Sequence, residues 1–178
     1  MPLSLRRFRF DDAPALTEAV RESFEEIRVW MPWCHPGYSV EEARAFIASA
    51  EGGWDARTAY EMAIVRDPDS PEERILGVCG VNAIRPGGRV ANLGYWVRTG
   101  ATRAGVATEA VRQLAHYAFS QTDLVRLEIV VAVGNRASAR VAEKSGAVPE
   151  GIAHDRLHFH GRDLDAWMFA LLRSRFVA

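Results

Sequence analysis

"RTGATRAGVATEAVRQLAHYAF", Arg98 to Phe119, sets Gly100, Gly105 and Ala107 beside Arg98 and Arg103 at the mouth of a helix. A helix N-terminus presents unpaired N–H groups and partial positive charge, which together make an anion site. Gly105 and Ala107 let an anion approach the main chain, and Arg103 can add a charge-assisted contact. A glycine that merely starts a helix after a loop has the same local pattern, so the segment alone leaves both readings open. Two nucleotide loops are excluded, because neither G-x-x-x-x-G-K-[ST] nor G-x-G-x-x-G occurs in the chain.

Upstream, "TAYEMAIVRD" (58–67), "RILGVCGVNAI" (74–84) and "VANLGYWVR" (90–98) are separated by the turns "DPDSPEE" and "RPGGR". They predict an antiparallel meander. Downstream of the Gly105–Gln121 helix come the apolar strand "LEIVVAV" (127–133) and a short helix "RASARVAEKSG" closed by Gly146. Strands near 151–159 and 163–172 follow around an "HGRD" turn. At the front, "LSLRRFRF" predicts a strand and residues 11–30 a helix, capped by Asp11 or Asp12 with Pro14 in its first turn. Its apolar stripe is Leu16, Val20 (or Ala19), Phe24 and Ile27. "MPWCHPGY" breaks it, Ser39 and Glu42 open the next helix as a capping box, and Gly52–Gly53 are expected to end that one. The order β-α-α-β-β-β-α-β-α-β-β predicts an α/β fold. Its central sheet is mixed but mostly antiparallel, with helices on both faces, and residues 1–178 form a single domain.

The 178 residues carry 22 basic and 23 acidic side chains, a net charge of -1. That argues against a general nucleic-acid binder. Cys34 and Cys79 lie far apart and outside any C-x-x-C pair, so a reducing cytoplasm is expected. No stretch approaches a signal peptide or a membrane span.

A second motif sits about 30 residues beyond the first, "NRASARVAEKSGA", Asn135 to Ala147. Together, "YWVRTGATRAGVATEA" and "NRASARVAEKSG" resemble the GNAT family of N-acetyltransferases. Within it the resemblance is to the branch that acetylates the N-termini of ribosomal proteins. The match is a helix-opening (Gln/Arg)-x-x-Gly-x-(Gly/Ala), then Asn-x-x-Ser-x-x-Val-x-Glu-Lys-x-Gly. Trp30-Met31-Pro32-Trp33, "ILG" at 75–77, "GYWV" at 94–97 and "HGRDLDAWMFALL" extend it over nearly the whole chain.

The resemblance implies an acyl-CoA N-acyltransferase fold and acetyl-CoA as co-substrate, without a metal. It implies acetyl transfer by direct attack of a primary amine, either a protein N-terminus such as that of a ribosomal protein or a small molecule. It leaves open a homodimer and a domain that binds acyl-CoA without catalysis. The implied pyrophosphate cradle is Arg103, Ala104, Gly105, Val106, Ala107 and Thr108. The motif's leading Gln or Arg falls on Thr102, which shifts weight to main-chain amides and Arg103. The thioester is expected between "GYWVR" and "EIVVAV", strands that splay apart. Backbone groups of Tyr95, Trp96, Val97 and Arg98 would hold the pantetheine arm and the carbonyl oxygen.

Asn135 is implied as a pantetheine contact, and asparagine also caps helices well. Ser138 is the implied acid that protonates the leaving thiolate. Its plain alternative is a small helical residue against the sheet. The tyrosine that many members place four residues further on is Ala142 here. No base stands out. Leu157 and Asn92 occupy places where relatives carry an acidic residue, which leaves Glu25, Glu26, Asp155 and His158.

Trp30 and Trp33, in the aromatic loop before Ser39, are expected either to touch substrate or to pack as core. Glu22, Glu25 and Glu26 form an acidic helical edge, solvated or amine-attracting. His154, His158 and His160 would share one strand face, but Arg156 among them opposes a metal. His158 is kept as a substrate contact. A free α-amine ionises near 7.7–8.0 and lysine near 10.4, a gap of roughly 2.5 units or about 3 kcal/mol. A site lacking a strong base therefore suits a chain N-terminus better.

Overall fold

The computed structural model describes residues 3–176. Seven strands form one sheet: β1 (Leu3–Arg6), β2 (Tyr60–Arg66), β3 (Arg74–Asn82), β4 (Val90–Val97), β5 (Arg126–Ala132), β6 (Val148–Phe159) and β7 (Arg162–Leu172). Their spatial order is β1-β2-β3-β4-β5-β7-β6. Every neighbouring pair is antiparallel except β4 and β5.

The helices are α1 (Ala13–Glu22), α2 (Phe24–Ile27), α3 (Val40–Ala56), α4 (Val106–Gln121) and α5 (Arg136–Lys144). β3 is buried on both sides from Ile75 to Val81, so it needs cover on both faces. On one face Leu16, Val20, Ala43 and Ile47 of α1 and α3 pack with Ala63, Val65, Ile75 and Val78. On the other, α4 lays Ala110, Val111, Leu114, Ala118 and Phe119 onto Leu76, Leu93, Leu127 and Ile129. Each of the Leu, Val, Ile and Phe side chains among them, fully buried, contributes about 1.5–3 kcal/mol. Among the described residues no helix is long and apolar enough to cross a membrane.

Four local expectations are corrected. The 11–30 helix divides at Ser23, which is fully buried and whose Oγ accepts the Thr99 N–H at 2.9 Å. Anchoring the loop after β4 takes precedence there over helix continuity. Asp12 does not cap α1 with its side chain. Its carboxylate is committed to the Arg6 guanidinium at 2.7 Å and the Arg9 N–H at 2.7 Å. Gly52 and Gly53 lie inside α3, which runs on to Ala56 and ends at left-handed Arg57. Gly53 is there for close approach, since a Cβ would stand 2.9 Å from the Ala59 Cβ. The first strand stops at Arg6, whose guanidinium turns to Asp12 and Glu73.

The feature that positions the site is where β4 leaves β5. Only Val90, Ala91 and Asn92 pair with Arg126, Leu127 and Glu128. β4 runs on to Val97 without β5, while β5 stays paired with β7 up to Ala132. Arg98 donates its N–H to the Leu76 carbonyl at 2.6 Å. Antiparallel alternation then turns the backbone groups of Gly94 and Trp96 toward β3 and those of Tyr95 and Val97 into the gap. Gly77 allows β3 to approach this strand, because a Cβ there would meet the Trp96 carbonyl oxygen at 2.2 Å. Gly77→Ala should lower unfolding free energy by about 2 kcal/mol in urea denaturation. An unchanged midpoint would show that β3 and β4 can separate freely.

Candidate active site between strands β4 and β5

Past Val97 the chain makes a single 3-10 turn, Thr99–Ala101, and exposes Thr102 to Gly105 before α4 begins. Arg103 and Gly105 have positive φ, 62° and 78°. Main chain that alternates into the left-handed region gathers N–H groups into an anion-binding concavity. Ser39 caps α3 and Asn135 caps α5 through side-chain oxygens, whereas α4 has no side-chain cap. A Cβ on Gly105 would meet nothing within 4 Å, so the space before the helix is open. The chain therefore presents the first-turn N–H groups of α4 to whatever lies outside, with Arg103 exposed beside them.

The two arginines of the opening segment part company. The Arg98 side chain is 2% exposed, with Nη1 at 3.0 Å from Glu18 and 3.1 Å from Glu22. It ties α1 to the end of β4, and its guanidinium is not at the helix mouth.

Across the gap, the Tyr95 hydroxyl lies 2.9 Å from the Ser138 carbonyl and 3.0 Å from the Ser138 Oγ. Burial pushes the Tyr95 phenol up, against a smaller opposing effect of the Ser138 hydrogen bond, so it stays protonated. Ser138 in turn donates its N–H to the Asn135 Oδ1 at 3.1 Å. One hydroxyl from β4 and one from α5 thus meet where the two strands have separated. The tyrosine hydroxyl was not expected from the sequence, which had assigned Tyr95 for its main chain.

On the opposite face lies a cavity of about 270 Å³. Met31, Trp33, Tyr38 and Trp96 wall it, and Glu61, Asn82 and Gly94 line its floor. The Asn82 Nδ2 donates to the Glu61 Oε1 at 3.0 Å, and the Asn92 Nδ2 donates to the Asn82 Oδ1 at 3.0 Å. Burial raises the Glu61 carboxyl above the ordinary range, with the Asn82 hydrogen bond opposing it. Burial first, then Glu42, pushes the Tyr38 phenol up to about 12. A larger hollow of about 510 Å³ lies beside Leu5, Trp54 and Tyr117, and none of the gap residues lines it.

Residues 3–148 match the family model described as an acetyltransferase (GNAT) domain. The chain belongs to the GNAT acetyltransferase family. YdaF of Bacillus subtilis (strain 168), provisionally named a ribosomal N-acetyltransferase, is 27% identical over 177 residues, covering 96% of this chain and 91% of that one. The ribosomal-protein-serine acetyltransferase of Escherichia coli (strain K12) is 28% identical over 104 residues, 53% of this chain and 58% of that protein. The fold matches RimL, a ribosomal L7/L12 α-N-protein acetyltransferase solved with coenzyme A, at TM-score 0.85. That match has 24% identity and covers 96% of this chain and 93% of that chain.

In this acetyltransferase the sequence-named residues fall into three places. Arg103 to Thr108 form the open mouth of α4, and Tyr95, Val97, Asn135 and Ser138 surround the gap. Trp33 and Trp96 wall the cavity, while Trp30 covers the turn after β5, its ring 3.7 Å from where a Gly134 Cβ would be. His158 stands apart, at 2.6 Å from Asp163 on the β6–β7 hairpin. His154 is held by Asp165 at 3.0 Å, and His160 donates to the Arg28 carbonyl at 2.9 Å. Among the described residues no group of three His, Cys, Asp or Glu side chains is placed to hold a metal. Glu25 pairs with Arg28, Glu26 accepts from Thr99, and Asp155 sits in the β6 bulge, so none of the three lines the cavity.

Glu61 was missed. A lone glutamate in the apolar run "YEMAIV", facing a strand rich in glycine, was the available signal. Its partner Asn82 could not be inferred without the strand register.

The observed cap fixes one stability prediction. Asn135→Ala should cost about 1 kcal/mol in chemical denaturation and Asn135→Ser almost nothing. Equal losses in both variants would mean that Asn135 stabilises the enzyme by something other than the cap.

Proposed function

We propose that this acetyltransferase moves an acetyl group from acetyl-CoA to a primary amine, the α-amine of a protein N-terminus such as that of a ribosomal protein. The observation that carries the reading is the uncapped mouth of α4 opening onto a gap lined by unpaired main chain of β4. Relatives named for ribosomal N-acetylation and the coenzyme A bound to RimL support it.

The residues present fit acetyl-CoA. First-turn N–H groups of α4 and Arg103 would take the pyrophosphate, and the exposed backbone of Tyr95 and Val97 would hold the pantetheine arm and orient the thioester. Acetyl-CoA supplies the activated acyl group. The chain supplies alignment, exclusion of water by the surrounding aromatics, and a hydroxyl pair, Ser138 with Tyr95, to protonate the departing sulfur. That pair favours catalysis over a domain that only binds acyl-CoA. The cavity of about 270 Å³ also admits a small-molecule amine, which keeps that substrate as the second reading.

Isothermal calorimetry with acetyl-CoA should give binding at micromolar concentrations. Ala107→Glu should fold as well as the parent, since an acid in the first helical turn is favourable there, yet lose at least tenfold in acetyl-CoA affinity. Binding undisturbed by that acid would remove the α4 mouth as the pyrophosphate site. In a thiol-release assay Ser138→Ala should slow turnover about tenfold to a hundredfold with little loss of coenzyme affinity. Unchanged turnover at every pH would take Ser138 out of the mechanism.

A further inference from the structure

We propose that Glu61 is the catalytic base of this acetyltransferase, and that the cavity beside it seats a primary amine carried on a small uncharged group. The proposal rests on the acetyl-transfer reading and supplies the acceptor half of that reaction.

Register creates the arrangement. Glu61 of β2 lies opposite Gly80 of β3, which lies opposite Gly94 of β4. The carboxylate folds across β3 because Gly80 has no side chain, and a Cβ there would stand 1.7 Å from Oε2. Gly94, next in the row, is bare as well, and a Cβ on it would meet only the Asn92 Nδ2 at 3.9 Å. The row therefore runs from a carboxylate, over a cleared strand, to open space above β4. Immediately beyond is Tyr95, whose main chain faces the gap between β4 and β5.

Glu61 is also oriented. Asn92 holds the Asn82 amide so that its NH2 group points at the Glu61 Oε1. Among the described residues Oε2 accepts no hydrogen bond and is left for a proton. On the cavity side the titratable group near Glu61 is Tyr38 from the loop before α3, while the Cys79 and Tyr95 side chains lie on the α4 face of the sheet. From α3, the Trp54 indole donates to the Glu61 carbonyl, and α1 presents Leu16 and Val20. The cavity lining includes no Lys, Arg or His. A half-buried carboxylate without a resident cation is matched by a cation that arrives.

The walls describe that cation. Trp33, Tyr38 and Trp96 line the cavity with aromatic rings of the kind that attract an ammonium, and Met31 adds apolar surface. About 270 Å³ holds an amine with a small side group. A second ammonium, as in a polyamine, would find no second carboxylate in the lining. The α-amine of a chain beginning with a small residue fits both limits.

The reaction balances on these groups. The ammonium gives one proton to the Glu61 Oε2, and the freed lone pair forms the N–C bond to the thioester carbonyl carbon. The C–S bond breaks, and the sulfur leaves with its electron pair and takes a proton from the Ser138–Tyr95 pair. The second proton lost by nitrogen refills that pair, and Glu61 returns its proton to water.

The test uses thiol release from acetyl-CoA with a short peptide beginning in alanine, and with spermidine, at pH 5.5 to 9.5. Glu61→Gln should lower turnover by about a hundredfold to a thousandfold at neutral pH and move the acidic limb of the profile up to the amine's own ionisation. The deficit should narrow above the amine's own ionisation near 8, where free amine is already present. Calorimetric affinity for coenzyme A should stay within about twofold. Gly94→Ala, which clashes with nothing in the fold, should raise the peptide KM at least tenfold with an unchanged coenzyme affinity. Spermidine should be the poorer acceptor. In the free protein, carbon-13 NMR of labelled glutamate should show one carboxyl ionising above the ordinary range and missing from Glu61→Gln. That signal and Gly94→Ala carry the test if Glu61→Gln does not fold. Coenzyme binding together with parental turnover and pH profile in Glu61→Gln would overturn this assignment alone. Failure of the native protein to bind acetyl-CoA would instead overturn the reading beneath it.

Discussion

Three residue pairs hold β4 to β5, and beyond Asn92 and Glu128 the two strands part. The proposed coenzyme site depends on that early end to a parallel ladder. Interior backbone groups left unpaired are expensive, so a sheet that opens in its middle must have something to satisfy them. Here the groups turned to the gap belong to Tyr95 and Val97, at the centre of the sheet. An extended chain of amides such as pantetheine would meet that need, which is the physical ground for proposing this gap as its slot.

The rest of the structure keeps the gap from closing or widening. β5 is tied on its other side to β7 along its whole length, so it cannot follow β4. β4 is fixed to β3 by the ladder that reaches Arg98 and Leu76, with Gly77 permitting the approach. The Arg98 guanidinium, buried between Glu18 and Glu22, pins the end of β4 to α1. Ser23 adds a second pin through Thr99. The loop that leads into the mouth of α4 is therefore held from behind by α1. Its front face carries no such ties. The Tyr95–Ser138 contact spans the opening as a strut of two hydroxyls.

Much of this was legible beforehand, and the reason differs from case to case. The meander, the α4 and α5 helices and the Gly146 stop follow from local pattern, and left-handed Gly146 closes α5 as expected. The splay between "GYWVR" and "EIVVAV" came from the resemblance of two motifs and would not have come from periodicity. The failures share a cause. Ser23, Asp12 and Gly53 each read locally as helix interior, cap and stop. Each is taken instead by a partner distant in sequence or packed from outside the helix: Thr99, Arg6 and Ala59. The Arg98 guanidinium, although next to a glycine-rich loop, is likewise held from outside it, by Glu18 and Glu22 of α1. Histidines 154, 158 and 160 are held separately, by Asp165, Asp163 and the Arg28 carbonyl.

Glu61 shows what a single sequence hides most completely. Before "GYW", where an acid is frequent among relatives, this chain has Asn92, and read along the strand the acid is simply gone. Read across the sheet it is displaced by two strands: Asn92 hands a hydrogen bond to Asn82, and Asn82 hands one to Glu61. A buried carboxylate weakens a fold when it ionises without a partner, and an apolar residue at this place in β2 would pack without that penalty. The clearing of Gly80, a further loss of β propensity in the middle of the sheet, increases the cost of keeping the acid there. Two neutral amides orient the carboxylate without neutralising it, as an arginine would. That choice leaves the charge available, so stability given up within the apolar strand is recovered when a cation enters the cavity.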